Sequence, residues 1–133
     1  MTQEEKIFAF FKECSSFFFA STEDGEPRVR PFGFKMLYEG RFYFGMGTFK
    51  PSYRQTIANP HVELCALKAD GSFLRVRGKA VLDMREGVQA EMFKTSPSLR
   101  ALYNEKNGRV QATFHLEDID AQVYRDGEYT PLI

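Results

Sequence analysis

The chain has 133 residues, 43% of them hydrophobic and 27% charged, which is the balance of a globular protein rather than a disordered one. Its 18 lysines and arginines are offset by 18 aspartates and glutamates, so the basic excess typical of nucleic-acid-binding proteins is missing. No apolar run approaches the ~20 residues of a transmembrane helix and the acidic N-terminus is unlike a signal peptide; we therefore expect one cytoplasmic domain over residues 1–133, with no membrane or nucleic-acid partner.

The first half of the chain is predicted to alternate short strands with turns after an N-terminal helix. Residues 4–13 carry apolar side chains at helical spacing, and Thr2 precedes them as an N-cap. Strands are predicted over 17–21, 28–38 and 41–46, separated by Asp-Gly and Glu-Gly turn signals. A helix over 52–58 follows, with Pro51 at its start.

The second half continues the same pattern. Strands over 62–69 and 73–82 flank an Asp-Gly hairpin signal, and a helical region over 85–106 is split near Pro97. Further strands are predicted over 110–116 and 121–124, before an Asp-Gly turn and a short tail. The result is a mainly β fold of six to seven antiparallel strands with inserted helices, and it favours a closed or partly closed barrel because closure removes edge strands.

The aromatic content points to a planar ligand or a subunit interface. The chain has 14 phenylalanines and six tyrosines but no tryptophan, more rings than a core of this size requires. For any single ring, packing in the core is the alternative interpretation.

The segment 28–35 is a basic strand. In a regular strand Arg28, Arg30 and Phe32 share one face, where they can clamp an anionic planar ligand. Pro31 removes a ladder hydrogen bond and therefore indicates an edge or a bulge. A solvent-facing basic strand is the alternative.

The segment 42–52 has features of a phosphate site. A strand leads into a glycine-containing loop, then Thr48, Lys50 and a helix start, so backbone N–H groups, a hydroxyl and an ammonium can converge on an anion. The order of residues is not that of a P-loop. Because only the turn at residues 39–40 separates this strand from the basic strand, we expect the two to be antiparallel neighbours and Arg30 and Lys50 to reach one phosphate.

Together these segments resemble a known family. They are similar to the corresponding segments of the pyridoxamine-phosphate-oxidase-like flavoproteins. The similarity lies in the basic strand, the Phe-Tyr-Phe strand at 42–44, the segments at 47–53 and 58–60, and Leu-Arg-Val-Arg-Gly-Lys-Ala at 74–80. More narrowly, they resemble the short nitroimidazole-reductase-like members. The resemblance extends from about Phe8 to Tyr124.

This resemblance implies a split β-barrel homodimer that holds FMN between its two subunits. Arg30 and Lys50 would bind the FMN phosphate, and Thr48 would donate a hydrogen bond to it. Ser52 and Tyr53 at the helix start would complete the phosphate pocket. No metal is implied.

The other positions carried over from the resemblance surround the flavin ring. The expected neighbours of the ring are Arg28, Pro31 and Phe32 on the basic strand, Tyr43 and Phe44 on the following strand (near the ribityl chain or ring), and Phe73 and Arg75 from the partner subunit.

Two functions follow from the resemblance. The first is an FMN-dependent oxidoreductase that reduces a small planar acceptor such as a nitroaromatic or a quinone. The second is a non-catalytic flavin carrier, buffer or sensor, because neither a substrate pocket nor a catalytic acid is recognisable. Another planar ligand, haem or a deazaflavin, is a third hypothesis.

Several residues depart from the oxidases of the family. Those enzymes use C-terminal arginine and histidine residues to hold pyridoxal phosphate, and residues 124–133 do not match that pattern. We therefore do not expect oxidation of pyridoxamine phosphate itself. His61 and His115 are too far apart to suggest a metal cluster, and Cys14 and Cys65 have no C-x-x-C spacing.

Overall fold

The computed structural model describes residues 1–133. In chain order the elements are α1 (Gln3–Phe11), β1 (Phe17–Glu23), β2 (Glu26–Phe32), β3 (Lys35–Tyr38), β4 (Arg41–Gly47), α2 (Pro51–Ala58), β5 (His61–Leu67), β6 (Phe73–Leu82), α3 (Glu86–Thr95), α4 (Leu99–Leu102), β7 (Gln111–Arg125) and β8 (Glu128–Pro131). The N-terminal helix begins at the predicted cap, where Thr2 Oγ1 accepts a hydrogen bond from the backbone N–H of Glu5.

Tight turns make three of the four hairpins. Each has an acidic residue and a glycine in the left-handed region, at φ 51° and 78° for residues 24–25, 51° and 76° for 39–40, and 52° and 81° for 126–127. Two successive positive φ values characterise the turn whose twist matches that of paired strands. These three predicted turns are therefore confirmed. The hairpin predicted at residues 70–71 is also present between β5 and β6, but there only Gly71 is in the left-handed region, at φ 90°.

The strands form one antiparallel sheet in the order β2-β1-β5-β6-β7-β4-β3, with β8 added to β7. Its two ends, β2 and β3, are consecutive in the chain and separated only by Gly33 and Phe34. The sheet must therefore curl until its ends approach each other, although no ladder joins β2 to β3. This unclosed barrel confirms the predicted split β-barrel, with eight strands rather than six or seven.

Two strand predictions were wrong. The strand predicted over 28–38 is two strands, because the chain leaves its β1 partner after Phe32 and takes up pairing with β4 from Lys35. The strands predicted over 110–116 and 121–124 are one strand, because a bulge absorbs the irregularity: the register shifts between Arg77 and Lys79, and Asp118 adopts φ 53°. The predicted tail contains β8.

Aromatic rings fill most of the core. Phe11 lies edge-on to Phe42 at 5.1 Å, Phe19 lies 5.3 Å from Phe44, and Phe44 stacks on Phe114 at 5.7 Å between centroids. Offset and edge-on pairs at these distances add stability to the burial of apolar area. Core packing thus accounts for much of the high phenylalanine content.

The helices pack at different places on the barrel. Helix α1 lies against β3, β4 and β6, α2 against β1 and β4, and α3 against β3 and β7. None of the helices combines the length and apolar character that crossing a membrane requires.

Candidate functional site

A cleft of about 240 Å³ opens where the chain passes from β2 to β3. We call it the seam cleft; it is lined by Pro31, Phe32, Gly33, Phe34, Gly45, Met46, Lys50, Leu99, Leu102, Tyr103 and Gln111. Three residues predicted for a ligand site, Pro31, Phe32 and Lys50, meet here. Tyr103 and Gln111 were not predicted, because they follow a helix and a loop that have no recognisable motif.

Two glycines of β4 lie at or beside the seam cleft: Gly45 lines it, and Gly47 is close to Tyr103, which also lines it. A Cβ on Gly45 would lie 2.8 Å from the carbonyl oxygen of Ala112 and 3.0 Å from Nε2 of Gln111. A Cβ on Gly47 would lie 2.7 Å from the Phe49 ring and 3.0 Å from the Tyr103 hydroxyl. Glycine inside a strand commonly marks such close approach. Larger residues would force apart the side chains that wall the cleft.

The start of α2 forms the polar end of the seam cleft. Lys50 is its N-cap and Pro51 its first residue, and no side chain caps the helix. Pro51 has no N–H, and the N–H of Tyr53 donates to the Lys50 carbonyl oxygen at 3.1 Å. The N–H of Ser52 is therefore the first-turn donor that remains for an anion. Thr48 and Lys50 are exposed beside it, and the Thr48 hydroxyl makes no hydrogen bond in the chain. Ser52 is buried in the same turn.

Arg30 reaches this helix by a different route from the one predicted. The basic strand pairs with β1 and not with β4, so the expected strand adjacency was wrong. Instead, Arg30 Nη2 donates to Gln55 Oε1 on α2 at 2.7 Å, and Nη1 donates to Ser21 Oγ at 2.8 Å. Burial, with a smaller effect of the Arg28 charge, lowers the pKa of Arg30. Gln55 is five residues after Lys50, about 7.5 Å along the helix axis.

Other predicted residues have contacts away from the seam cleft. Tyr43 is fully buried and its hydroxyl donates to Asp83 Oδ2 at 2.8 Å. Phe44 is fully buried in the aromatic core. Tyr53 packs beside Phe114 at 6.2 Å. Their side chains therefore support the barrel. Arg28 on β2 is exposed, and its Nη1 donates to the Pro27 carbonyl oxygen at 3.0 Å.

Phe73 and Arg75 lie on the outer side of the sheet. A row of paired residues crosses that side from β2 to β7 in the order Pro31, Phe18, Cys65, Arg75 and Gln122. We call the side marked by this row the outer sheet face. Pro31 and Arg75 are three strand spacings apart, about 14 Å. Within one chain Arg75 is therefore remote from the wall of the seam cleft at Pro31.

Aromatic and basic groups cluster at one end of the outer sheet face. Phe73 stacks on Tyr124 at 4.9 Å, and the guanidinium of Arg75 lies 4.6 Å from the Tyr129 ring. Arg75 also donates to Gln122 Oε1 at 3.0 Å. These contacts hold the two predicted residues in place at the surface.

Tyr43, Asp83 and Arg85 form a network of hydrogen bonds between β4 and the segment that precedes α3. Arg85 holds the pKa of Asp83 near 2 through its hydrogen bonds to the carboxylate. Burial and the hydrogen bond to Asp83 raise the pKa of Tyr43 to about 12. At neutral pH a neutral phenol thus donates to a carboxylate, tying β4 to the segment that enters α3.

His115 forms a second buried polar contact. Arg41 Nη1 donates to His115 Nδ1 at 2.8 Å, so this ring nitrogen must be unprotonated. Burial lowers the pKa of His115, and the Arg41 charge lowers it further.

We expect this contact to make stability depend on pH below about 6.5, the ordinary histidine pKa. The folded chain with a lowered pKa binds fewer protons than the unfolded chain, so stability is full above that pH and falls as pH drops through the folded pKa. Urea unfolding at pH 7.5, 6.5 and 5.5 measures the loss. His115→Gln, whose amide oxygen can still accept from Arg41, should flatten this dependence.

The exposed His61 supplies the control. His61→Gln should retain the pH dependence of the unmodified protein. The account of His115 fails if His115→Gln and the unmodified protein lose the same free energy of unfolding between pH 7.5 and 5.5.

Comparisons with known proteins agree with this architecture. A family model described as pyridoxamine 5'-phosphate oxidase matches residues 3–126. The crystal structure of a NimC/NimA family protein from Clostridium acetobutylicum is 30% identical, with a TM-score of 0.89 over 98% of this chain and 91% of that one. No curated protein matched the chain.

More distant structures share the fold alone. A putative pyridoxamine 5'-phosphate oxidase from Listeria innocua is 19% identical, with a TM-score of 0.66 over 89% of this chain and 96% of that one. HutZ from Vibrio cholerae, described as a haem storage protein, is 14% identical, with a TM-score of 0.66 over 93% and 94% of the two chains.

Proposed function

The chain belongs to the pyridoxamine 5'-phosphate oxidase family of flavin-binding proteins, and we propose that it binds FMN in the seam cleft and reduces a small planar acceptor such as a nitroaromatic or a quinone. The observation that carries this proposal is the make-up of the cleft. One end is a helix start without a capping side chain beside Lys50, and the wall is formed by Pro31 and Phe32.

The residues of the seam cleft fit FMN. Pro31 offers flat apolar surface to the ring, and Lys50 with the exposed Thr48 hydroxyl suits the phosphate. Phe32 lines the cleft beside Pro31, and its ring stacks on Phe19 at 4.9 Å. A phosphate dianion requires about two positive partners, and charge-assisted hydrogen bonds of this kind contribute about 1.5–3 kcal/mol each. Arg30, held against α2, is the second cation near that helix.

The location of the histidines disfavours a histidine-ligated haem in the seam cleft. Haem iron is commonly held by an axial histidine, although cysteine, methionine and tyrosine also serve. His61 is exposed at the start of β5, and His115 is buried against Arg41. Neither histidine lines the seam cleft, whereas Met46 and Tyr103, two residues of other haem-ligating types, do.

When bound, FMN supplies the electron or hydride transfer to the acceptor. The chain's own contribution is to bind and orient it. Lys50 and Thr48 hold the phosphate, and the Pro31–Phe34 segment covers the ring against water. The strand β4, made rigid by the Tyr43–Asp83 hydrogen bond, supports the floor of the cleft.

A flavin carrier without turnover is the alternative function. No carboxylate, histidine or cysteine lines the seam cleft, so Tyr103 and Lys50, which is assigned to the phosphate, are the only groups of the lining that could donate a proton to an acceptor. Anaerobic mixing of the reduced, FMN-loaded protein with a nitroaromatic or a quinone separates the two functions. Reoxidation of the flavin supports the oxidoreductase, and a flavin that stays reduced supports the carrier.

We expect Lys50→Ala to weaken FMN binding roughly 10- to 100-fold, the equivalent of one charge-assisted hydrogen bond. Lys12→Ala is the control, because Lys12 caps the far end of α1. Titration of FMN followed by fluorescence quenching measures both affinities, and riboflavin, which has no phosphate, should bind the two variants equally. Equal FMN affinities for the two variants would overturn the phosphate assignment.

We also propose a homodimer that buries the outer sheet face, with Phe73 and Arg75 of one copy near the seam cleft of the other. Because the pairing row places Arg75 about 14 Å from Pro31 within a chain, these residues reach a bound ring only from a second copy. Phe18, the second residue of that row and 47% exposed, offers apolar surface for the contact.

We expect Phe18→Glu to shift the protein from dimer to monomer in sedimentation velocity at micromolar concentration and to weaken FMN binding. A charge introduced into an apolar interface is costly to desolvate. Ile57→Glu, at an equally exposed apolar residue on α2, should leave the dimer intact. A monomeric unmodified protein with FMN bound would refute the proposed dimer.

A further inference from the structure

The side chain of Gln111 is buried without a partner. Gln111 is the first residue of β7 and 5% exposed, and its Nε2 has no hydrogen-bond partner in the chain. Its backbone oxygen is occupied, since Gln89 Nε2 donates to it at 3.0 Å. Buried amide groups in folded proteins are nearly always hydrogen-bonded, because an unpaired donor retains its full desolvation cost.

The surrounding strands direct this amide into the seam cleft. Gln111 pairs with Gly47 of β4, and Nε2 lies 3.0 Å from the position that a Cβ of Gly45 would occupy. Gly45 and Gln111 both line the seam cleft, where Pro31 and Phe32 form the apolar wall. The absence of a side chain at residue 45 thus leaves room for the amide at the ligand site.

The unpaired N–H of Gln111 limits which part of the ligand this side chain can bind. A neutral amide N–H requires an acceptor, and the isoalloxazine ring has carbonyl oxygens and ring nitrogens along its edge. The phosphate already has the better matched partner in Lys50. We propose that Gln111 donates a hydrogen bond from Nε2 to an acceptor atom of the flavin ring; this inference rests on the proposed binding of FMN in the seam cleft.

A ligand-binding role for Gln111 predicts a result that a purely structural role in the core does not. Without ligand, the unpaired amide destabilises the protein, so Gln111→Met, similar in length and without the amide, should melt at the same temperature as the unmodified apoprotein or higher. With ligand, the same substitution should raise the dissociation constant roughly 5- to 10-fold, as expected for one hydrogen bond. The loss should be equal for FMN and riboflavin, since the contact is with the ring.

The midpoint potential of bound flavin gives an independent measure. A donor to the ring stabilises the more electron-rich reduced form, so the potential should become more negative in Gln111→Met. Gln111→Glu is the second variant, because it retains the shape and loses the N–H donor, and it should change affinity and potential in the same direction. Gln3→Met, at a glutamine that donates to the Leu132 carbonyl, should change neither.

Four outcomes decide between the possibilities. The inference is supported if both Gln111 variants bind flavin more weakly and have a more negative midpoint potential, and if the Gln111→Met apoprotein is at least as stable as the unmodified apoprotein. Unchanged affinity in a protein that binds FMN overturns the inference alone and indicates a bound water as the partner. A loss for FMN but not riboflavin overturns the ring contact. An unmodified protein that binds no flavin overturns the proposed function and this inference together.

Discussion

The two-residue passage between β2 and β3 is the constraint on which the rest of the structure depends. The strands joined by Gly33 and Phe34 stand at opposite ends of the sheet, so the whole sheet must curl to let the chain pass from one to the other. Since β2 and β3 are not hydrogen-bonded to each other, the barrel retains an open line at this point. The seam cleft lies there, where a ligand can replace contacts that a closed barrel would make between its own strands.

The fold could be predicted from the sequence where the local signals were strong. The Asp-Gly and Glu-Gly turns require left-handed backbone, and Thr2 and Pro51 mark helix starts at the residues where the structure has them. The passage at residues 33–34 was missed although Pro31 and Gly33 both disfavour a regular strand, because neither residue indicates which strand the chain pairs with next. Only the tertiary pairing shows that the chain has exchanged β1 for β4.

The sequence predicted the lysine and proline of the candidate site but not its buried amide. Lys50 and Pro31 stand in segments whose patterns point to an anion and to an irregular strand edge, and the structure brings both to one cleft. Tyr43 and Phe44 lie in an equally suggestive segment but are fully buried. Gln111 had no sequence signal, because its importance comes from burial beside Gly45 across a strand pair. Burial of a polar group without a partner is visible only once the fold is known.

The most direct test of a flavin site at this open line is a visible absorption spectrum of the purified protein, incubated with FMN or with haemin and then desalted. Our account predicts that flavin bands are retained after incubation with FMN, that Lys50→Ala retains less flavin than Lys12→Ala, and that haemin gives no Soret band of a ligated haem. A protein that loses all flavin on desalting but retains haemin with a sharp Soret band would contradict it.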